Sequence, residues 1–247
     1  MQQIDFYMVD AFSDTTFGGN AAAVCPLTEW LPDETLLAMS RQHNQSETAF
    51  FITTDSGYEL RWFTTQGEIN LCGHATLAAA HVIFEYLNHP ETTIHFDTRF
   101  VGPLSVTRNG DWLTLDFPAW ESEPVMPLPL LLETLGITQC QEVRVARDYM
   151  VVLENQQQVE AVCPNINAMI PLEKMVCITA PGDGEYDFVS RFSAQVNRYR
   201  KIRLQGQHIA CSSHIGRTAW VKRRCSLARF PNVVVICAVN SLATECL

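Results

Sequence analysis

The sequence predicts an α+β fold made of two similar domains, and three observations lead to this prediction. Short segments with alternating apolar residues recur along the chain, as half-buried strands require. One longer segment, residues 74–87 ("HATLAAAHVIFEYL"), is apolar nearly all round and predicts a helix buried at the centre of a domain. The string "YELRWF" at residues 58–63 is echoed by "YDFVSRF" at 186–192, which indicates an internal repeat.

The first predicted domain covers residues 1–118. Pro32 stands in the first turn of "LPDETLLAMSRQH", which has acidic residues near its start and predicts an amphipathic helix. The central helix is predicted to follow after residue 73. Strands are predicted at 4–12, 21–25, 47–53, 58–64, 92–98, 102–108 and 112–117.

The second predicted domain begins at a Pro-rich stretch, residues 116–129, which interrupts the periodic pattern and predicts a junction. We place the domain at residues 119–194. It is predicted to hold a short helix near 130–136 and strands at 142–147, 149–155 and 186–192.

The overall composition is typical of an ordinary soluble protein with a large apolar core. Apolar residues make up 47% of the 247 and charged residues 18%. We expect a cytoplasmic protein without a membrane span, because no basic-then-apolar leader and no sufficiently long apolar run is present. The nine cysteines include no CxxC pair, so free thiols are expected rather than a disulfide framework or a metal site.

The residues most suggestive of chemistry lie at the predicted start of the central helix. The N–H groups of Gly73, His74 and Ala75 would be unpaired there and would favour a carboxylate. His74 adds a side chain that can exchange protons near neutral pH. Glu47, at the start of an apolar strand, is a candidate general acid-base, and Ser46 could bind the same ligand.

Each of these residues also has a purely structural interpretation. A histidine at a helix start can be a cap, and a glutamate before a strand can simply be solvated. Asn20 is a candidate for substrate binding, with a turn residue as the alternative. Cys72 is either a packing residue or a thiolate base whose pKa is lowered by the helix N-terminus.

Four motifs then resemble, in order and spacing, the PhzF-like phenazine-biosynthesis isomerase family. They are "VDAF....GGNAAAV" (9–24), "SETAF" (46–50), "RWFT" (61–64) and "LCGHATLAAA" (71–80), with "LDFPA" and "DFVSRF" further along. The resemblance implies a diaminopimelate epimerase-like fold, in which each of two domains wraps a curved sheet around a central helix. The segment "TTQGEIN" (64–70) departs from the family, whose members more often carry a Pro and an Asp there.

The resemblance implies an isomerase that uses no cofactor and moves a proton on a small carboxylate substrate, as the phenazine enzyme does on a dihydro-hydroxyanthranilate. Glu47 would be the general acid-base, assisted by His74. Ser46 and the amides of the central helix would hold the carboxylate. A homodimer is also implied. Two alternatives remain: an inactive small-molecule-binding protein, and a two-base epimerase that uses Cys72.

Residues 195–247 differ from the rest of the chain. They hold 9 of the 17 basic residues and only one acidic residue, Glu245. Such a basic end would ordinarily suggest a nucleic-acid partner. We instead expect no nucleic-acid binding, because this tail reads as an out-of-frame translation and the second domain as incomplete.

The codons that can encode the tail are consistent with a shifted reading frame. After "DFVSRFSA" the family expects a string like "EDPVTGSAHC", where this chain has "KIRLQGQHIAC". Suppose that each codon of the original frame consists of the third base of one codon in the present frame and the first two bases of the next. The codons possible for residues 201–210 can then encode the whole expected string. Trp220 has a single codon, so the shifted reading there forces a glycine inside a permitted "RLGK". We infer a single-base deletion near codons 193–195.

Overall fold

The computed structural model describes residues 3–12, 19–117, 121–183, 188–193, 219–221 and 234–238. The chain divides into two compact units, one formed by Met1–Pro118 with Pro231–Leu247 and the other by Ala119–Phe230. Each unit contains a mixed sheet with a few helices, which confirms the predicted α+β class. Within the described ranges, no helix is both long and apolar enough to cross a membrane.

The strands and helices follow in chain order. The strands are β1 (Tyr7–Ala11), β2 (Asn20–Leu27), β3 (Thr48–Thr54), β4 (Gly57–Phe63), β5 (Glu68–Ile69), β6 (Thr93–Thr98), β7 (Leu104–Asn109), β8 (Trp112–Asp116), β9 (Glu123–Val125), β10 (Glu142–Val145), β11 (Tyr149–Val152), β12 (Val176–Pro181), β13 (Phe188–Ser193), β14 (Ala219–Val221) and β15 (Val234–Ala238). The helices are α1 (Asp33–His43), α2 (Gly73–Tyr86), α3 (Pro129–Leu135) and α4 (Gln156–Ala161), and a 3-10 helix spans Ile166–Leu172.

In the first unit the strand order is β1-β2-β3-β4-β6-β7-β8-β15, with β5 paired to β4. Helix α2 packs against this sheet and confirms the predicted buried helix, because ten of its residues from His74 to Phe84 are buried. Fully buried side chains such as Leu77 and Ile83 each contribute roughly 1.5–3 kcal/mol to folding. Phe50 and Phe63 belong to a separate apolar cluster that also contains Leu36 of α1.

In the second unit the strand order is β14-β13-β12-β11-β10-β9. Its apolar core contains residues of α3, α4 and the 3-10 helix together with β10 to β13. Three of its elements, β12, α4 and the 3-10 helix, lie in a stretch for which the sequence predicted no structure. The short strand β9 lies inside the Pro-rich stretch predicted as a junction. It has only three residues and contains Pro124, so it is too short to show an alternating pattern.

The two units share a pattern of strand pairing. In the first, β1 pairs antiparallel with β2, β2 parallel with β3, and β3 antiparallel with β4. In the second, β10, β11, β12 and β13 pair in the same sequence of directions. The string "YELRWF" lies on β4, and residues 188–192 of the echoing string lie on the corresponding strand, β13. Each strand contains a buried arginine, Arg61 in β4 and Arg191 in β13. This common topology is what the internal repeat predicted.

Only short backbone segments of the tail lie among the described residues. β14 pairs with β13, and β15, within the apolar string "VVVICAV", pairs with β8. The remainder of residues 195–247 lies outside the described residues.

Arg191 stabilises the second unit by capping a helix. Its Nη1 group donates to the carbonyl oxygens of Val159, Glu160 and Val162 at 2.7, 3.2 and 2.9 Å, at the end of α4. Carbonyl oxygens at a helix C-terminus carry partial negative charge and favour a cation. The side chain is 93% buried, so these bonds are shielded from water.

We therefore expect Arg191→Met to lower the free energy of unfolding by about 2–3 kcal/mol, because charged hydrogen bonds of this kind contribute roughly that much. Urea unfolding followed by circular dichroism measures the change. Arg147→Met is the matched control, since that side chain is about half exposed and donates from Nε to the adjacent Asp148 at 2.7 Å. Equal losses in the two variants would contradict the role assigned to Arg191.

Candidate active site

The backbone around Glu47 is held by its neighbouring strand. Glu47 immediately precedes β3, and its carbonyl oxygen accepts a hydrogen bond of 3.2 Å from the N–H of Ala23. Ala23 is also the register partner of Thr48 in the parallel β2–β3 pair. These contacts fix the backbone from which the Glu47 carboxylate projects. The Glu47 side chain is 20% exposed.

The start of α2 lies beside it. Cys72 is the N-cap residue with an extended backbone, and the N–H of Thr76 donates to its carbonyl oxygen at 3.2 Å. The hydroxyl of Thr76 donates to the same oxygen at 2.6 Å. This first helical bond leaves the N–H groups of Gly73, His74 and Ala75 without a partner inside the helix, at its positive end.

The imidazole of His74 brings the predicted side chains together. Its Nε2 atom lies 3.2 Å from Glu47 Oε2 and 3.5 Å from Ser46 Oγ, and its Nδ1 atom lies 3.4 Å from Cys72 Sγ. Only 9% of the His74 side chain is exposed. Sequence reasoning placed Glu47, Ser46 and His74 in one cleft but did not predict that Cys72 contacts the other ring nitrogen.

Two opposing effects set the protonation of His74. Burial alone would lower its pKa below the ordinary 6.5, but the neighbouring Cys72 sulfur and the Glu47 carboxylate outweigh burial and raise the pKa to about 10. At neutral pH the ring is therefore an imidazolium. It can donate protons and stabilise negative charge, but it has no free nitrogen with which to accept a proton.

A titration of His74 tests this electrostatic balance. We expect its imidazole resonances in NMR spectra to titrate near pH 10, far above 6.5. Because the folded-state pKa lies above the ordinary value, the stability that the charged ring contributes is fully present below pH 6.5 and is lost as pH rises toward 10. Cys72→Ser is expected to lower this pKa more than Glu47→Gln does. A midpoint at or below 6.5 in the unsubstituted protein would contradict the assignment.

The connection from β4 to α2 is held by a network of charged side chains around the buried Arg61, which the sequence analysis did not single out. Arg61 donates from Nε and Nη2 to Glu68 at 2.7 and 2.8 Å, and from Nη2 to Asp33 at 2.7 Å. Arg41 Nε donates to the carbonyl oxygen of Thr65 at 3.0 Å. These bonds fix the segment that leads into Cys72. The only available signal was the buried strand position of Arg61 within "RWFT".

Gly73 leaves little room for a side chain. A Cβ atom there would lie 3.0 Å from Cε2 of Phe117 and 3.3 Å from its Cζ. The glycine therefore lets the Phe117 ring pack closely against the start of α2.

The remaining predicted residues occupy different positions relative to the imidazole. Ala75 is fully buried in α2 and can offer only its backbone N–H to a ligand. Asn20 begins β2 and is half-buried, three residues before the Ala23 that bonds to Glu47. Glu47, Cys72 and His74 each offer one donor atom within 4.8 Å of the others, so these three side chains could also hold a metal ion.

Comparison with known proteins places these residues in a family. The family model for phenazine biosynthesis-like proteins matches residues 9–196. An "uncharacterized isomerase" of Pseudomonas aeruginosa is 45% identical over 191 residues, covering 77% of this chain and 73% of the relative. An "uncharacterized isomerase" of Halalkalibacterium halodurans is 38% identical over 197 residues, covering 77% and 73%.

A solved structure shows the same architecture. The crystal structure of a PhzF-family phenazine biosynthesis protein from Enterococcus faecalis aligns with a TM-score of 0.70 and 40% identity, covering 77% of this chain and 74% of that one. A predicted epimerase from Pseudomonas aeruginosa, 18% identical with a TM-score of 0.52, shares the fold. From the family match, the isomerase relatives and the common fold, we conclude that the chain belongs to the PhzF family.

Proposed function

We propose that this protein is an isomerase of the PhzF type, which moves a proton between two carbons of a small carboxylate substrate without a cofactor. The observation that carries the proposal is the contact of 3.2 Å between the Glu47 carboxylate and the His74 imidazole at the start of α2. The names of the isomerase relatives support the reaction class. We further propose a cytoplasmic homodimer, as the family resemblance implies.

The roles of the two side chains follow from their charges. His74 is protonated at neutral pH, since its pKa is raised to about 10, so the base must be Glu47. Glu47 would take a proton from a carbon of the bound substrate, and the resulting negative charge would spread onto the substrate carboxylate. The His74 imidazolium, the Ser46 hydroxyl and the N–H groups at the start of α2 would stabilise that charge. Glu47 would then return the proton to a second carbon.

We also propose that residues 195–247 are translated out of frame. The family match ends at residue 196, where the shifted frame was predicted to begin. The repeat adds support, because β4 leads through a short connection into α2, whereas its counterpart in the second unit, β13, is followed by the tail. In the shifted frame, the string that the family expects lies after β13, at the position where the repeat predicts the start of a helix equivalent to α2. The nucleotide sequence across codons 190–200 tests this point.

Turnover separates an isomerase from a binding protein. The protein with its frame restored would be incubated with the dihydro-hydroxyanthranilate and with a panel of small unsaturated carboxylates, and products followed by NMR. We expect at least one of these compounds to be converted to an isomer of unchanged mass. Tight binding by calorimetry without conversion of any bound compound would instead identify an inactive binding protein.

The two-base epimerase is less well supported than the single-base isomerase. It requires a second thiol opposite Cys72, and within the described residues the cluster around His74 contains Cys72 alone.

A further inference from the structure

A soft donor set surrounds the His74 imidazole, and the proton-transfer scheme uses only part of it. Glu47, Cys72 and His74 offer a carboxylate oxygen, a sulfur and an imidazole nitrogen, all within 4.8 Å of one another. Thiolate, imidazole and carboxylate are the ligands that Zn²⁺ prefers in proteins. We propose that these three side chains form a binding site for Zn²⁺, and that the bound ion silences the isomerase by occupying its base. The silencing, but not the binding, rests on the proposed function.

The observed distances suit a tetrahedral ion. With zinc bonds of about 2.3 Å to sulfur and about 2.0 Å to nitrogen, two neighbouring ligands lie roughly 3.5 Å apart. Cys72 Sγ and His74 Nδ1 are 3.4 Å apart, so an ion that takes the place of the proton between them needs almost no movement of either side chain. The Nδ1 proton of the imidazolium is released to solvent as the zinc–nitrogen bond forms, and Nε2 keeps its own proton. These two ligands also come from one rigid element, the start of α2, where Cys72 is the N-cap residue.

Glu47 supplies the third ligand by a modest movement. In the structure it contacts the other ring nitrogen, Nε2, and a single ion can use only one nitrogen of His74. The carboxylate is the most exposed of the three groups, 20% against 9% for the His74 side chain, and can turn toward Nδ1 more easily than the buried ring can. Ser46 Oγ, 3.5 Å from Nε2, remains to accept the hydrogen bond from the ring. Outer partners of this kind orient zinc-bound histidines.

The charges favour occupancy. A thiolate and a carboxylate together neutralise one Zn²⁺ ion, whereas the opposing positive end of α2 amounts to only about half a charge. The three ligands leave a fourth position open to water, as zinc sites with three protein ligands do. With its carboxylate bound to the ion, Glu47 cannot accept a proton from a carbon atom.

Metal titration of the full 247-residue chain tests the site directly. Co²⁺ serves as a spectroscopic probe, because a sulfur–cobalt bond gives a near-ultraviolet charge-transfer band, and Zn²⁺ affinity is measured by calorimetry. We expect one equivalent of Co²⁺ to give the band. Cys72→Ser should abolish it and weaken Zn²⁺ at least about 100-fold, since loss of even an outer partner costs 10–100-fold. Glu47→Gln should keep the band but weaken Zn²⁺ about 10-fold or more.

The matched control is Cys163→Ser, which removes an exposed thiol and should leave both the band and the affinity unchanged. Circular dichroism confirms that each variant is folded. A band that survives Cys72→Ser, or one that is lost with Cys163→Ser, would overturn the site. If the protein binds zinc but converts no substrate, the zinc site is supported and the proposed isomerase function fails. Full turnover with zinc bound at Cys72 would overturn the silencing alone.

Discussion

Glu47→Gln is expected to lower kcat of the frame-restored protein about 10³-fold while changing KM by no more than a few-fold. A positioned general acid-base typically contributes 10²–10⁴-fold to rate. The amide keeps the size of the side chain and can still bond to His74 Nε2, 3.2 Å away in the parent, but it cannot accept a proton. The measurement is initial rates of product formation on whichever carboxylate the protein converts.

Ser46→Ala is the comparison for that experiment. Its hydroxyl lies 3.5 Å from His74 Nε2 and is assigned to binding the carboxylate and stabilising its developing charge. Its loss should therefore raise KM and lower kcat, but lower kcat far less than the loss of the base does. Glu47→Asp keeps the base but shortens its reach, so a partial loss is expected. Equal kcat values for Glu47→Gln and the parent would show that Glu47 is not the general acid-base.

Arg61→Met is expected to lower the free energy of unfolding by about 3 kcal/mol, the largest stability effect that the structure predicts. The guanidinium is 92% buried and donates two bonds to Glu68, whose side chain is 13% exposed. Removing one partner of a buried ion pair leaves an uncompensated charge, which typically costs 3–5 kcal/mol. The lower end applies here because Arg99 also contacts Glu68, at 2.9 Å. Urea unfolding followed by tryptophan fluorescence is suitable, since the Trp30 ring lies 5.0 Å from Arg61.

Asp33→Asn is the matched control for Arg61→Met. It removes one charge from the same network, but the Asp33 carboxylate is 61% exposed, and exposed pairs contribute at most about 1 kcal/mol. A loss of 2 kcal/mol or more for Asp33→Asn, or less than 1 for Arg61→Met, would show that the buried Arg61–Glu68 pair is not what holds this segment.

Much of the first unit could be predicted from its sequence, because each element carries its own pattern. The residues of α2 are apolar on every side, and those of β3 and β4 alternate or run apolar between clear turns. The strand pairing could not be predicted in the same way. It depends on contacts between distant residues, such as the parallel pairing of Ala23 with Thr48 that fixes the backbone beside Glu47.

The candidate site, too, could be predicted from the sequence only in part. The spacing of Gly73 and His74 indicated a helix start with free N–H groups, and the position of Glu47 before an apolar strand made it a candidate acid-base. The family resemblance then implied that these residues act together. Two features required coordinates: the contact of Cys72 with the second ring nitrogen, and the bond from Arg61 to Glu68. Both depend on side-chain orientation, which periodicity does not determine. The pKa of His74 is raised by its contacts with Cys72 and Glu47, so its charge state could not be predicted from the sequence either.

Deuterium exchange tests the central claim most directly, namely that Glu47 moves a carbon-bound proton. The frame-restored protein and its Glu47→Gln variant would each be incubated in D₂O with the converted carboxylate, and deuterium at carbon followed by NMR and mass spectrometry. We predict that the parent introduces deuterium at the carbon that gains the proton, because the Glu47 carboxyl is 20% exposed and can exchange its proton with D₂O before returning it. The variant should introduce none above the uncatalysed rate. Equal deuterium incorporation by the two proteins, or equal rates of isomer formation by them, would contradict the account.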